Sequence, residues 1–284
     1  MIPPSIILDP LLQSWLREDI GRGDRSTMGL FADGLAPLGE ATWIAKAEGV
    51  VAGLPVAARV FQILDQGVTV EMMVRDGQPV HSGDVLLKVR GSLAVLLMAE
   101  RVALNLVMRL SGIASSTAQY VNAIAHTSTR LVDTRKTIPG MRILEKYASA
   151  VGGAINHRYG LDDAVMLKDN HIAAAGGLTK AVQRVRDRIP FTTVIEVETE
   201  SIAQVKEAVL LDLDVIMLDN MPLETMREAI AIIRSASPHT KIEASGNVTL
   251  HTIAAIAELG VDYISTSATI TRSAWLDISM RVSA

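Results

Sequence analysis

The chain has 284 residues, 49% of them hydrophobic and 20% charged, enough for one large core or for a large and a small one. A formal net charge of −4 and a pI near 5.9 argue against a basic nucleic-acid face, so any anionic ligand must be met by a local cluster of cations. Cysteine is absent, which excludes disulfides, thiolate nucleophiles and zinc–thiolate centres and fits a reducing, cytoplasmic setting.

In chain order, Pro10 to Asp19 has helical spacing and Gly21 to Thr27 reads as a loop. The segment before them has no basic start, is broken by Pro3, Pro4 and Asp9, and does not read as a secretory signal. Ala41 to Val51 alternates as a strand, Val56 to Leu64 reads as a helix, and Val68 to Val74 alternates again before an Asp76-Gly77 turn. Gln78 to Arg90 reads as strand, tight turn, strand. Leu93 to Leu110 and Ser115 to Ala125 read as two helices. Glu100, Arg101 and Asn105 interrupt the apolar stretch from Ser92 to Met108, making it a buried helix and not a membrane span. Strands mixed with helices predict a small α+β domain here.

From about Arg130, short apolar runs alternate with amphipathic helices. The runs are Arg130 to Asp133, Ala164 to Leu167, Thr192 to Val197, Val215 to Leu218, Lys241 to Ala244 and Asp262 to Ser265. The helices include Arg142 to Gly152, Leu178 to Arg188, Ile202 to Leu210, Leu223 to Ser235 and Leu250 to Leu259. Such strands, each followed by a helix, predict a parallel sheet buried on both faces. Every strand runs into polar residues at its C-terminal end, the end at which α/β barrels place their sites. No G-x-G-x-x-G follows the first run, which favours a barrel over an open doubly wound sheet; six runs fall short of eight, so the barrel is incomplete.

Arg135, Lys136, His157, Arg158 and Lys168 lie at or near these ends. Guanidinium forks match carboxylates and phosphates, so the set points to a polyanionic ligand; singly, each could be a solvated charge or a partner of Asp133, Glu145 or Asp162. Glu196, Glu198 and Asp219 end adjacent strands, with Glu196 and Glu198 on the same side. Such acids can hold sugar hydroxyls or magnesium, or pair with Lys168. Ser245-Gly246-Asn247 and Ser265 to Ala268 are small, hydroxyl-rich loops able to present backbone N–H groups to a phosphate, or simply to cap a helix. Together these parts describe a sugar-phosphate donor and an acidic acceptor.

The ordered motifs Thr134 to Gly140, Glu145 to Tyr147, Asn156 to Arg158, Leu167 to Ile172, Glu196 to Glu198, Met217 to Met221 and Glu243 to Gly246 resemble those of quinolinate phosphoribosyltransferases. Arg17 to Asp24, Gly53 to Val56, Gly83 to Val85, Glu100 to Asn105 and Arg109 to Gly112 extend the resemblance over nearly the whole chain. The resemblance implies a type II phosphoribosyltransferase-like fold. That means an α/β sandwich over residues 1–113, rejoined by a tail at about 274–284, and an incomplete barrel of about seven strands over 114–273. It implies transfer of phosphoribosyl from phosphoribosyl pyrophosphate to quinolinate with decarboxylation, in at least a homodimer whose active site a neighbouring subunit completes. Arg101 matches the residue that crosses over. Arg135, His157, Arg158 and Lys168 match the quinolinate site, with Lys136 between the two substrates. Glu198 and Asp219 match the acids at the ribose and at Mg2+, direct or through water. Ser245 and Gly246 match the phosphate loop, with Asn247, Ser265 and Ser267 beside them. Lys136, Lys168, Glu198 and Asp219 are the expected catalytic groups. No nucleic acid or membrane partner is expected.

The last loop departs from the family pattern. Ser267 replaces an expected glycine, Thr271 falls where histidine is usual, and Asn247 stands where a second glycine is common. Arg272 is the candidate for the missing cation. A nicotinate phosphoribosyltransferase, needing to grip one carboxylate only, fits the rich cation set less well, and the paralogue associated with molybdate transport lacks the L-K-D-N-H motif found at Leu167 to His171. The Gln78 to Arg90 hairpin resembles half of a lipoyl or biotinyl carrier, but its His81 to Asp84 turn has no lysine and Lys88 lies within the second strand, so it reads as scaffold.

Overall fold

A computed structural model, which describes residues 2–31, 34 and 36–283, divides the chain into two compact units. The first comprises Met1–Ala118, Ile143–Gly152 and Ser273–Ala284; the second comprises Gln119–Arg142 and Gly153–Arg272.

The first unit holds strands β1 (Leu38–Ala45), β2 (Gly49–Val50), β3 (Thr69–Met72), β4 (Pro79–Val80) and β5 (Val85–Ser92). β1 lies between β5 and the C-terminal strand Ile278–Ser283, and β3 lies beyond β5; all these pairs are antiparallel. β1 buries Ala41, Trp43 and Ala45 on one face, and Trp43 meets Phe61 of helix Leu54–Leu64 edge-on at 6.2 Å between centroids. The loop expected at Gly21 to Thr27 instead leads into a short helix, Arg25–Leu30, because the Asp24 carboxylate accepts the N–H groups of Ser26 and Thr27.

Two further expectations change. The pair of helices predicted around Gly112 is one helix, Leu93–Ala123. Gly112 permits close approach rather than ending the helix: a Cβ there would stand 1.9 Å from the Ala274 carbonyl oxygen. The expected bounds, 1–113 with a tail at about 274–284 and then 114–273, differ from these units at Ile143–Gly152, which groups with the first. Polar contacts fix it there. Fully buried Glu145 accepts from Arg109 Nη2 at 2.7 Å and Nε at 3.1 Å, and the Tyr147 hydroxyl donates to Asp76 at 2.5 Å. Asp76 in turn accepts the N–H groups of Gly53 and Leu54.

The second unit is built on six parallel strands: β6 (Arg130–Val132), β7 (Val165–Leu167), β8 (Ile195–Thr199), β9 (Val215–Asp219), β10 (Lys241–Ser245) and β11 (Tyr263–Ser265). Their order is β6-β11-β10-β9-β8-β7, and a single parallel bridge from Val132 to Ile155 stands in the seventh position. The two-residue side-chain period sorts each strand. Ile195, Val197, Ile216, Leu218, Ile242, Ala244 and Ile264 join the apolar core with the helices. The alternate positions, Glu196, Glu198, Met217, Asp219, Glu243 and Ser245, face the other side, with Glu198 beside Met217, Met217 beside Glu243 and Asp219 beside Ser245. The helix expected over Leu250 to Leu259 shrinks to Ile253–Ala257. Thr252 Oγ1 accepts the Thr249 N–H at 3.0 Å and holds the preceding residues in a turn. Among the described residues no helix is long and apolar enough to cross a membrane.

Candidate active site

The C-terminal ends of β6–β11 surround a cavity of about 720 Å³. It is lined by Arg135, Lys136, His157, Arg158, Lys168, Glu198, Asp219, Ser245, Gly246, Asn247, Ser265 and Ser267, which are all of the residues assigned to the site except Arg101. Arg101 lies on helix Leu93–Ala123 in the other unit, 60% exposed, and its ion pair among the described residues is with Glu100 at 3.8 Å.

The loop after β6 supplies the first cations. Lys136 N–H bonds to Thr134 Oγ1 at 3.0 Å, tightening the turn. The side chains of Arg135 and Lys136 have no acidic or hydrogen-bonding partner among the described residues, and Arg135 Nε is buried without one. Asp133, itself buried, shapes the neighbouring loop: its oxygens accept the Asn156 amide at 2.7 Å and the His157 backbone N–H at 2.9 Å. Arg158 is held through Nη1 to the Ala164 carbonyl at 2.8 Å, and its Nε is also buried without a partner. Burial first, and then the like charge of Arg135, push the Arg158 guanidinium below its ordinary range. Arg158 feels the charges of Glu196 and Asp163, but among the described residues neither guanidinium makes a salt bridge, which leaves a place for an anion.

Beneath them lies a buried triad that sequence reasoning did not assign. His157 Nε2 is 3.2 Å from Glu196 and 3.4 Å from Glu243. Burial lowers the ring's affinity for protons, but the two carboxylates outweigh it and raise its pKa to about 10. Glu196 is itself raised, chiefly by burial. Nδ1 accepts the Arg158 N–H at 2.7 Å, so both ring nitrogens are engaged by the protein. Glu243 could have been found by counting back two residues from Ser245 along β10, which puts both on one face.

On the opposite wall the acids gather. Lys168 Nζ donates to Glu198 at 2.7 Å, so the pairing weighed as the bland alternative exists, though 45% of the Lys168 side chain stays exposed. The Lys168 N–H is received by His171 Nδ1 at 3.1 Å, which turns the chain into helix Asp169–Ala175. Glu198, Glu200 and Asp219 bring one carboxylate oxygen each within 4.8 Å of one another, an all-oxygen set that suits a hard divalent cation. The His157, Glu196 and Glu243 set is as compact but suits none, since its ring nitrogens are engaged and Arg158 adjoins it.

The β9 and β10 ends interlock. Asn220 and Asn247 both have left-handed backbones, with φ of 53° and 48°, and Gly246 has φ of 93°. A Cβ on Gly246 would fall 2.2 Å from Asn220 Oδ1, so only glycine lets these loops meet. After β11, the Ser267 carbonyl accepts the Thr271 N–H at 2.8 Å, and this single helical turn carries Thr271 and Arg272 to the cavity wall. The Arg272 side chain has no partner among the described residues.

Comparison with known proteins gives the chain's relatives. Residues 113–281 match the family described as quinolinate phosphoribosyl transferase, C-terminal domain, and residues 31–111 match its N-terminal domain. A probable nicotinate-nucleotide pyrophosphorylase [carboxylating] of Synechocystis is 58% identical over 281 residues, covering 99% of this chain and 94% of that protein. A protein of the same description from Bacillus subtilis is 41% identical, covering 97% and 93%. The crystal structure of NadC from Streptococcus pyogenes superposes with a TM-score of 0.94 at 43% identity, covering 100% of this chain and 99% of that one.

Proposed function

As the chain belongs to the quinolinate phosphoribosyltransferase family, it transfers phosphoribosyl from phosphoribosyl pyrophosphate to quinolinate with decarboxylation, giving nicotinate mononucleotide for NAD biosynthesis, and we propose that the β6–β11 cavity is where it does so. The observation that carries the assignment is the cavity's asymmetry. Arg135, Lys136 and Arg158 line the cavity with no salt bridge among the described residues, and Glu198 and Asp219 line it with their carboxylates gathered near that of Glu200.

In this reading Arg135 and Arg158 grip the two carboxylates of quinolinate, and Lys136 lies between acceptor and donor. His157, its nitrogens engaged, shapes the pocket floor. Ser245, Gly246, Ser265 and Ser267 meet the donor's phosphates, with Arg272 as an added cation. Glu198 and Asp219, with Glu200 near, would hold magnesium, directly or through water, and the ion would supply neutralisation of the charge on the leaving pyrophosphate. As pyrophosphate departs, Glu198 and Asp219 stabilise the positive charge growing at the ribose C1. The guanidiniums hold the pyridine nitrogen in line for attack, a proximity effect. The quaternary nitrogen then accepts the electrons of the breaking C–CO2 bond, carbon dioxide leaves, and the ring carbon takes up a proton. Arg101, exposed and not among the residues that line this cavity, serves the cavity of a second copy, so the working form is at least a homodimer. A cytoplasmic location belongs to the same reading.

The test is an assay with phosphoribosyl pyrophosphate, magnesium and either quinolinate or nicotinate. Nicotinate mononucleotide from quinolinate only, with equimolar carbon dioxide, is expected; product from nicotinate only would overturn the acceptor assignment.

A further inference from the structure

We infer that Asn247 is a positioning residue for the donor site: acting through Asn220, it fixes the carboxylate of Asp219 so that one oxygen is bound by the protein and the other is left for the donor. The inference rests on the reading of Asp219 as a donor-site acid.

The geometry is a relay of amides. Asn220 Nδ2 donates to Asp219 Oδ2 at 2.7 Å, and Asn247 Nδ2 donates to Asn220 Oδ1 at 3.0 Å. The direction of the relay follows from chemistry alone. An ionised carboxylate only accepts, so the Asn220 amide must turn its NH2 towards Asp219; that leaves its oxygen towards Asn247, which must answer with its own NH2. Asp219 Oδ1 takes no hydrogen bond among the described residues. The backbone is committed to the same arrangement. Asn220 N–H donates to the Ser245 carbonyl at 3.0 Å, Asn220 and Asn247 both sit in the left-handed region, and the Gly246 backbone closes on Asn220 with no room for a Cβ. Left-handed backbone is unfavourable for residues other than glycine, and asparagine tolerates it best. At position 247 glycine would fit the backbone at least as well, so what asparagine adds there is its side-chain hydrogen bond. Asp219, Asn220, Gly246 and Asn247 all line the cavity, so the relay ends on the acid that faces the donor.

Asn247→Gly is therefore a clean test, because it deletes the side chain while suiting the φ of 48°. Asn247→Asp keeps the shape but cannot donate to Asn220. Both variants should weaken equilibrium binding of phosphoribosyl pyrophosphate with magnesium, read by calorimetry without acceptor, by roughly three- to tenfold, the effect of one hydrogen bond. The KM for quinolinate should stay within about twofold and the melting temperature should not fall, a split that a merely structural role for one hydrogen bond would not produce. Donor binding like wild type in both variants would overturn the inference. So would equal losses for both substrates, or a lower melting temperature accompanying the loss. Asp219→Asn serves as the control. If it binds the donor normally, Asp219 is not a donor-site acid and the inference falls with that reading; if it binds weakly while both Asn247 variants bind normally, the relay alone is wrong.

Discussion

Raising the pH should remove a part of this protein's stability that depends on His157. The ring lies between Glu196 and Glu243, whose side chains are only 5% and 4% exposed, and its pKa stands at about 10 against an ordinary 6.5. The folded state thus binds the proton more tightly than the unfolded chain. The stabilisation is complete below about pH 6.5 and drains away as the pH rises towards 10. The gap between the two values corresponds to ~5 kcal/mol as a ceiling. Two features reduce it. Glu196 is raised by its own burial, so keeping it ionised costs free energy. Nδ1 accepts the Arg158 N–H at 2.7 Å, which a doubly protonated ring cannot do, so the additional proton is shared towards the carboxyl pair rather than resting on the ring. A loss of about 1–3 kcal/mol between pH 7 and pH 10 is expected from the triad. Urea unfolding of wild type and His157→Gln at both pH values reads it, because the titrating groups outside the triad are common to the two proteins. Wild type should be the more stable at pH 7, and its advantage should shrink by pH 10. A constant or growing advantage would refute the reasoning.

Arg135→Lys keeps the charge but loses the fork; it should cost ~1.5–3 kcal/mol of quinolinate recognition, or roughly 10- to 100-fold in kcat/KM for quinolinate, while donor binding measured alone stays near wild type. Glu145→Ala leaves the Arg109 guanidinium, 12% exposed, facing a site that was fully buried, and should destabilise the first unit by ~3–5 kcal/mol, visible as a lower urea midpoint.

What could be read from the chain alone follows from how local each signal is. The six strands of the second unit were legible because their apolar runs are short, bounded and followed by helical periods. Their polar ends were legible because the site of such a sheet lies at those ends. The features that escaped are set by distant residues. Nothing near Gly112 reveals that it passes the Ala274 carbonyl, and without that contact a glycine between two helical patterns reads as a break. The amphipathic pattern of Arg142 to Gly152 says that the helix buries one face but not which unit receives it; Arg109 and Asp76, far away in sequence, decide that. Thr249 and Thr252 favour a local turn over the helix that the apolar spacing from Leu250 promised. Asn247 was read as a substrate contact because its loop is small and polar, a reading that gave no sign of its amide's bond to Asn220.

The division of labour along β8, β9 and β10 explains why fold and site are specified together. One two-residue period sends Ile195, Val197, Ile216, Leu218, Ile242 and Ala244 to the helices and Glu196, Glu198, Asp219, Glu243 and Ser245 to the other face. A slip of one residue in any of these strands would carry the acids into the apolar core and the apolar residues into the cavity at once. Burying even one carboxylate among those side chains without a partner costs several kcal/mol, comparable with the whole stability of a domain. The register that places Asp219 beside Ser245, and so allows Asn220 to meet Asn247, is therefore enforced by the core, and the geometry of this side of the cavity needs no separate device to select it.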